Sequence, residues 1–220
     1  MAEKTDDIQI LAVPKGRILE ELTPILKACD IIPEDDFFDD KSRKLQFKTN
    51  HSTLEIIRVR AFDVATFVAY GAADLGVVGN DALEEFNYSE LYAPVDLKIG
   101  TCRLSVAARN EDIERIQASK DTHIRIATKY PNLTKTHYAK AGIQAECVKL
   151  NGAMEIAPAL NLCSRIVDLV STGGTLKANN LNEIQTILDV SSRLIVNRTS
   201  QKTRPDIMNK WVNAFRKAVA

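Results

Sequence analysis

The sequence has no surplus of charge of either sign: 29 Lys and Arg stand against 29 Asp and Glu. Without a global field a chain has little to gather a polyanion, so bulk nucleic-acid binding is disfavoured and anions must be met at local basic sites. No apolar run approaches the roughly 18 to 20 residues that span a bilayer, and no membrane association is expected. The opening Met1–Asp7 is polar and acidic with no apolar h-region, which is the expectation for a chain kept in the cytoplasm. Cys29, Cys102, Cys147 and Cys163 form no C-x-x-C pair and sit mostly in apolar-periodic segments, where small buried thiols are expected. His51, His123 and His137 lack metal-ligand spacing, so no protein-held metal is expected. Internal repeats, low-complexity tracts and long linkers are missing too.

What is present is globular: 45% hydrophobic and 26% charged residues over 220 positions, enough for one large or two small domains. Short β-rich runs alternate with helical periodicity. Ile8–Val13 reads as a strand ending at Pro14, followed by a helix with Ile18, Leu22, Ile25, Leu26 and Cys29 on one face; Pro24 should kink it or mark its true start. Leu45–Phe47 and Leu54–Val59 read as strands joined by a turn at Asn50. Asp63 is expected to cap a helix that Gly71 ends, and Leu75–Val78 is a short buried strand.

Helical periodicity stops at Asn87–Pro94, the first expected crossing between two lobes. Beyond it come strands at Leu104–Ala108, Ile124–Thr128, Ala145–Leu150 and Ile166–Val170. Helices are expected from Asp112, from Pro131 to Gly142 and near Ala153–Leu162. Alternation of this kind implies a parallel-rich sheet covered on both faces. Ile184–Leu188 and Leu194–Asn197 should carry the chain back to the first lobe, whose core a C-terminal helix closes with Ile207, Trp211, Phe215 and Val219. The expected division is 1–92 plus 184–220 for lobe I and 93–183 for lobe II. Two α/β lobes of this design leave a central cleft, with ligands at the carboxyl ends of strands.

Three strand ends carry chemistry. In Asp168-Leu169-Val170-Ser171-Thr172-Gly173-Gly174-Thr175, an apolar strand delivers an acid and then a loop of hydroxyls and glycines opening onto a helix. Glycines let backbone amides curl round an anion, Ser171, Thr172 and Thr175 add donors, and the helix N-terminus adds positive potential. That suits a phosphomonoester, with Asp168 as acceptor for the hydroxyls of an attached ribose; the plain alternative is an ordinary strand-to-helix turn. No G-x-x-x-x-G-K-[ST] loop and no G-x-G-x-x-G fingerprint after the first strand occur, which removes support for kinase and nicotinamide chemistry.

Val13-Pro14-Lys15-Gly16-Arg17 offers two cations and a permissive glycine before a helix, either a polyphosphate contact or a solvated basic turn. Ser42-Arg43-Lys44-Leu45 and Arg58-Val59-Arg60 add cations at strand ends. Gly71-Ala72-Ala73-Asp74-Leu75-Gly76-Val77-Val78-Gly79-Asn80-Asp81 brackets a strand with glycines and turns into a helix with Asp81 as cap; small residues there either admit a flat ring or serve packing.

Together, V-P-K-G-R, S-R-K-L, R-A-x-D, G-A-A-D-L-G-V-V-G-x-D and D-L-V-S-T-G-x-T-L-K-A-N-x-L, in this order from about Ile8 to Thr199, resemble the ATP phosphoribosyltransferases that open histidine biosynthesis. The length resembles the short form, which lacks a C-terminal regulatory domain. The resemblance implies a two-lobed type II periplasmic-binding-protein-like α/β fold and a glycosyltransferase. Adenine N1 of ATP attacks C1 of 5-phosphoribosyl 1-pyrophosphate (PRPP), with inversion, loss of pyrophosphate and Mg²⁺ accompanying the phosphates.

It further implies PRPP contacts from Glu155, Asp168, Ser171, Thr172, Gly173, Gly174 and Thr175, and catalytic contacts to pyrophosphate or triphosphate oxygens from Lys15, Arg17 and Arg43. ATP contacts fall to Arg17, Arg60, Val78, Gly79, Asn80 and Asp81, and the implied partners are a second copy of the chain and a regulatory subunit resembling histidyl-tRNA synthetase. The chain departs from the family pattern at Asn161-Leu162-Cys163-Ser164-Arg165, where an L-A-D-A stretch is usual, so Ser164 stands in place of an acid. Ala65 replaces a usual proline. Two other readings are a non-catalytic binder of a small anion with the same architecture, and a phosphoribosyltransferase acting on another base.

Overall fold

The computed structural model describes residues 8–39 and 41–220; Met1–Asp7, with the expectation placed on it, lies outside the described residues. The first elements are β1 (Gln9–Pro14), α1 (Arg17–Ala28), β2 (Gln46–Lys48), β3 (Leu54–Val59), α2 (Ala61–Ala69), β4 (Leu75–Gly79), α3 (Asn80–Phe86) and β5 (Leu91–Asp96). They are followed by β6 (Cys102–Arg109), α4 (Ile113–Ala118), β7 (His123–Thr128), α5 (Pro131–Lys140), β8 (Gln144–Lys149) and β9 (Arg165–Val170). The last are α6 (Gly174–Ala178), β10 (Leu181–Val190), β11 (Ser192–Asn197), α7 (Arg198–Thr203) and α8 (Pro205–Ala218).

The chain forms two compact units, 1–83 with 87–100 and 191–220, and 84–86 with 101–190. Apart from the three residues 84–86, the passages between them fall at Gly100–Thr101 and Val190–Ser191, later than the expected 92/93 and 183/184. The reason is pairing. β5 is hydrogen-bonded to β11 in the first sheet, whereas β10, expected to lead back to the first lobe, runs antiparallel along β6 in the second. Strand propensity marks such segments as extended but does not say which sheet they join.

The first unit has a six-stranded sheet of order β2-β3-β1-β4-β11-β5. β1 is parallel to β3 and β4 and buried on both faces, which is why its sequence is a nearly unbroken apolar run. One face packs Leu11, Val13, Leu75, Val77 and Leu194 against Leu22 and Leu26 of α1 and Trp211 and Phe215 of α8. The other packs Ala12, Val78 and Ile195 against Val64 and Val68 of α2. Pro24 neither starts nor ends α1; it lies inside the helix, and the preceding Thr23 hydroxyl donates to the Leu19 carbonyl at 2.8 Å.

The second unit has a five-stranded sheet of order β10-β6-β9-β7-β8. Across the two sheets, four of the nine pairings between described strands are parallel, so the sheets are mixed rather than parallel-rich. The expected helix at Ala153–Leu162 shrinks to a 3₁₀ turn at Met154–Ile156 followed by turns, because Pro158 lacks an N–H and Ala153 and Asn161 hold positive φ. Glu85 caps α5 from outside that helix: its carboxylate accepts the N–H groups of Asn132 and Leu133 at 3.0 Å.

Candidate functional site

In the first unit β1, β3 and β4 run parallel, so their carboxyl ends share one edge. Pro14 lies beside Val59, and the β1–β4 register, Ala12 beside Gly76, places Val78 level with Pro14. Lys15-Gly16-Arg17 therefore leaves the sheet at the same edge as Arg60 and Gly79-Asn80. Antiparallel β2 begins there too, with the Arg58 N–H donating to the Leu45 carbonyl at 2.8 Å, which brings Arg43 to that edge. Lys15, Arg17, Arg43 and Arg60 are all exposed. Arg17 pairs loosely with Glu21 at 3.6 Å one turn on, a contact worth little in water. Gly16 has φ 81° and open space where a side chain would stand, so the turn needs glycine for its backbone angle.

Other members of the set are more committed. Val78 is fully buried in the face covered by α2 and presents backbone alone to the edge. The Asn80 N–H donates to the Ser191 carbonyl at 3.1 Å, and its side-chain oxygen accepts from the Ser191 N–H at 3.0 Å. Asp81 does not cap α3; Gly79 holds the cap position and Asp81 is buried in the first turn. Likewise Asp63 lies inside α2, capped by Arg60.

The glycines of the G-A-A-D-L-G segment prove structural. Gly71, φ 71°, ends α2, and a Cβ on Gly76 would stand 2.8 Å from methyls of Val64 and Val68. Asp74 sits at the amino end of β4, 1% exposed, accepting from the Ile10 N–H at 2.9 Å, the Ser200 hydroxyl at 2.7 Å and the Arg204 guanidinium. It ties the C-terminal helices to the sheet.

In the second unit, parallel β7, β8 and β9 bring their carboxyl ends to one edge. Ser171, Thr172, Gly174 and Thr175 are exposed there; Gly173 takes φ 77° with nothing near its α-carbon to block a ligand. α6 is five residues long, so the loop's own N–H and hydroxyl groups, rather than a helix dipole, are what it can offer an anion. Asp168 is half-buried in β9, one carboxylate oxygen accepting the Leu169 N–H at 2.8 Å. Burial pushes its pKa up to about 6, with the negative charge of Glu155 adding to the rise and Lys129 opposing it. Glu155, in the 3₁₀ turn, is thus an electrostatic neighbour of Asp168. Ser164, in the place of an acid, directly precedes β9 and is half-buried, its N–H donating to the Arg125 carbonyl at 3.3 Å.

Two features escaped the sequence reading. Lys129 follows β7 directly, and attention to every strand end would have found it. Arg103 has no such signal, because it begins an antiparallel strand: its guanidinium grips both Glu183 oxygens at 2.6 Å and donates to the Ser171 carbonyl at 3.3 Å, bracing the loop from behind. The Arg103 bond holds the Glu183 carboxyl below the usual carboxylate range. The cysteines behave as small apolar groups: burial pushes Cys29 up to about 11 and raises Cys147 and Cys163.

Among known proteins, residues 60–217 match the family described as ATP phosphoribosyltransferase (HisG). The chain is 61% identical over 212 residues to the ATP phosphoribosyltransferase of Paramagnetospirillum magneticum, covering 96% of this chain and 97% of that one. It is similar, with a TM-score of 0.81 and 29% identity, to the ATP phosphoribosyl transferase HisG:HisZ complex from Thermotoga maritima, over 96% of this chain and 98% of that one. The periplasmic aliphatic sulphonate binding protein of Escherichia coli shares the fold alone, at 10% identity and TM-score 0.56 over 98% of this chain and 74% of that one.

Proposed function

This chain belongs to the ATP phosphoribosyltransferase family, and from that premise we propose how its two strand-end constellations divide the reaction. The carboxyl edge of the second unit takes the donor: Ser171–Thr175 the 5-phosphate, Asp168 and Glu155 the ribose hydroxyls. The carboxyl edge of the first unit takes the nucleotide and the departing pyrophosphate, through Lys15, Arg17, Arg43 and Arg60 and the backbone at Val78–Gly79. Asn80 supports that edge through Ser191 and Asp81 lies beneath it. The observation that carries this reading is the Asp168 carboxylate, half-buried beside a loop of exposed hydroxyls and amides at a shared carboxyl edge.

The chemistry asks little of a general base. Adenine N1 brings its own lone pair to C1 of PRPP, the N1–C1 bond forms with inversion, and the C1–oxygen pair leaves with pyrophosphate. Alignment and stabilisation of the leaving negative charge are what the protein must supply. Cationic side chains do the second, and Arg is suited to it because its fork matches two phosphate oxygens at once. Mg²⁺ belongs here to the substrates, carried on their phosphates; the residues at the nucleotide edge are cations, which suit phosphate oxygens rather than a metal.

The HisG:HisZ complex from Thermotoga supports a hetero-oligomer with a regulatory subunit, and a second copy of this chain is part of the same reading. Among the described residues no helix is long and apolar enough to cross a membrane; a cytoplasmic place for the reaction is part of the proposal. Purified chain, with and without a regulatory subunit, mixed with Mg²⁺, ATP and PRPP should yield a product heavier than ATP by one phosphoribosyl group, together with pyrophosphate. Binding of both substrates without pyrophosphate release would turn the reading to a pure binder. Preference for a free purine or pyrimidine would turn it to a transferase for another base.

A further inference from the structure

Arg43 rides on a segment with little structure of its own. After a 3₁₀ turn at Asp35–Phe38, the chain rejoins regular structure at β2. Lys44, next to Arg43, ties the segment to Glu34 at 2.6 Å, the Ser42 N–H donates to the Asp39 carbonyl at 3.2 Å, and one residue of the neighbouring strand, Arg58, reaches it at several points. The main-chain N–H of Arg58 donates to the Leu45 carbonyl at 2.8 Å, while its guanidinium donates to the carbonyls of Phe37 at 2.7 Å, Asp39 at 3.3 Å and Ser42 at 3.5 Å. The anchored positions Ser42 and Leu45 bracket Arg43. Arg58 itself is 4% exposed, its guanidinium carbon 5.2 Å from the centre of the Phe47 ring.

Burying a guanidinium is costly unless its donors are matched. Among the described residues every side-chain acceptor of Arg58 is a main-chain carbonyl of this one segment, reached by its two terminal nitrogens, while its buried Nε has no partner. Ordering a free segment costs about 1–2 kcal/mol per residue in backbone entropy, and a fork that reaches several carbonyls at once offsets that cost where a single ammonium does not. By its position Arg58 is a strand-end cation; the fold makes it an internal brace.

We propose that Arg58 is a positioning residue for the transfer, acting through Arg43 by fixing the chain on both sides of it. The proposal rests on the reading of Arg43 as a contact to polyphosphate oxygens. Its test is a double-mutant cycle in steady-state kinetics of pyrophosphate release, with thermal melts of each variant, using Arg58→Met, Arg58→Lys, Arg43→Ala and the two doubles. Displacing Arg43 should cost Arg58→Met about tenfold in kcat/KM, and Arg58→Lys should not restore it. In the Arg43→Ala background the same Arg58 changes should add less than about twofold, because the group they act through is gone. If the losses multiply while Arg43→Ala is itself impaired, Arg58 serves only the fold and the proposal falls. If Arg43→Ala keeps wild-type kinetics, the reading of Arg43 falls and takes the proposal with it. Should Arg58→Met fail to fold, Arg58→Lys carries the same comparison.

Discussion

On the proposed division of the substrates, the two carboxyl edges would meet an anion in opposite ways. The first unit presents long exposed cations, Lys15, Arg17, Arg43 and Arg60, whose charge reaches out through solvent. The second presents short hydroxyls and amides on a glycine turn, braced by Arg103 and set beside a half-buried carboxylate. Charge on flexible stems suits a polyphosphate whose negative charge grows as a bond breaks. A fixed rim of neutral donors next to an acid suits a sugar phosphate that must be held in one orientation throughout. The balance of 29 charges of each sign hides this division completely.

The comparison breaks first at Arg17. Arg17→Ala should lower kcat by more than about tenfold, or about 1.4 kcal/mol of transition-state stabilisation, if cations at the first edge assist the leaving group. A wild-type rate under saturating substrates would leave Arg17 a solvated side chain.

Asp168 sharpens the other side. Its carboxyl stays protonated up to about pH 6, against an ordinary 3.8, because burial disfavours the charge. Between those values the folded protein holds a proton that the unfolded chain has released, so the stability tied to this group falls as pH rises through the window. Asp168→Asn should then melt above wild type near neutral pH, with the gap closing as pH falls to about 4. The same change should raise the KM for PRPP several-fold near neutrality, since a charged acceptor holds a hydroxyl better than an amide. Donor KM of the wild type should improve as pH rises through about 6, and this dependence should vanish in the variant. Unaltered donor kinetics in Asp168→Asn would remove the residue from the ribose contacts.

The smallest effect compares two glycines. Gly16 and Gly173 have φ of 81° and 77° and open space around the missing side chain. Alanine at Gly173, whose ψ of 4° is left-handed helical, should cost about 1–2 kcal/mol in thermal melts, and at Gly16, whose ψ of −151° falls in a region essentially confined to glycine, it should cost more. Their kinetics should part: Gly173→Ala should raise donor KM, while Gly16→Ala should lower kcat. Matching kinetic phenotypes would mean the two edges do not divide the substrates.

Much of this was legible beforehand because strands, their ends and the residues that follow them are local properties. Alternation and β-branching marked β1, β3, β4, β7 and β9, and the loops after β1, β4 and β9 carry the distinctive residues. The regular spacing of Trp211 and Phe215 likewise announced α8 and its buried face. Pro24 does not mark the start of α1, because a proline in a helix removes one bond of a ladder that packing of Leu22, Ile25 and Leu26 still holds. The segment Ala153–Leu162 misled, its apolar residues lacking a helix that Pro158 interrupts.

The sequence by itself determined which segments are extended or helical, and that glycine, hydroxyl and cationic loops follow strands, since these depend on neighbours within a few residues. Only the tertiary structure decided that β10 stays with β6, that Arg58 and Asp74 are internal ties while Arg43 and Arg17 face solvent, and that Asp168 titrates high. Those outcomes depend on burial and, for the internal ties, on partners brought from 16 or more residues away, as with Arg58 and Ser42 or Asp74 and Ser200, and local pattern carries no record of them.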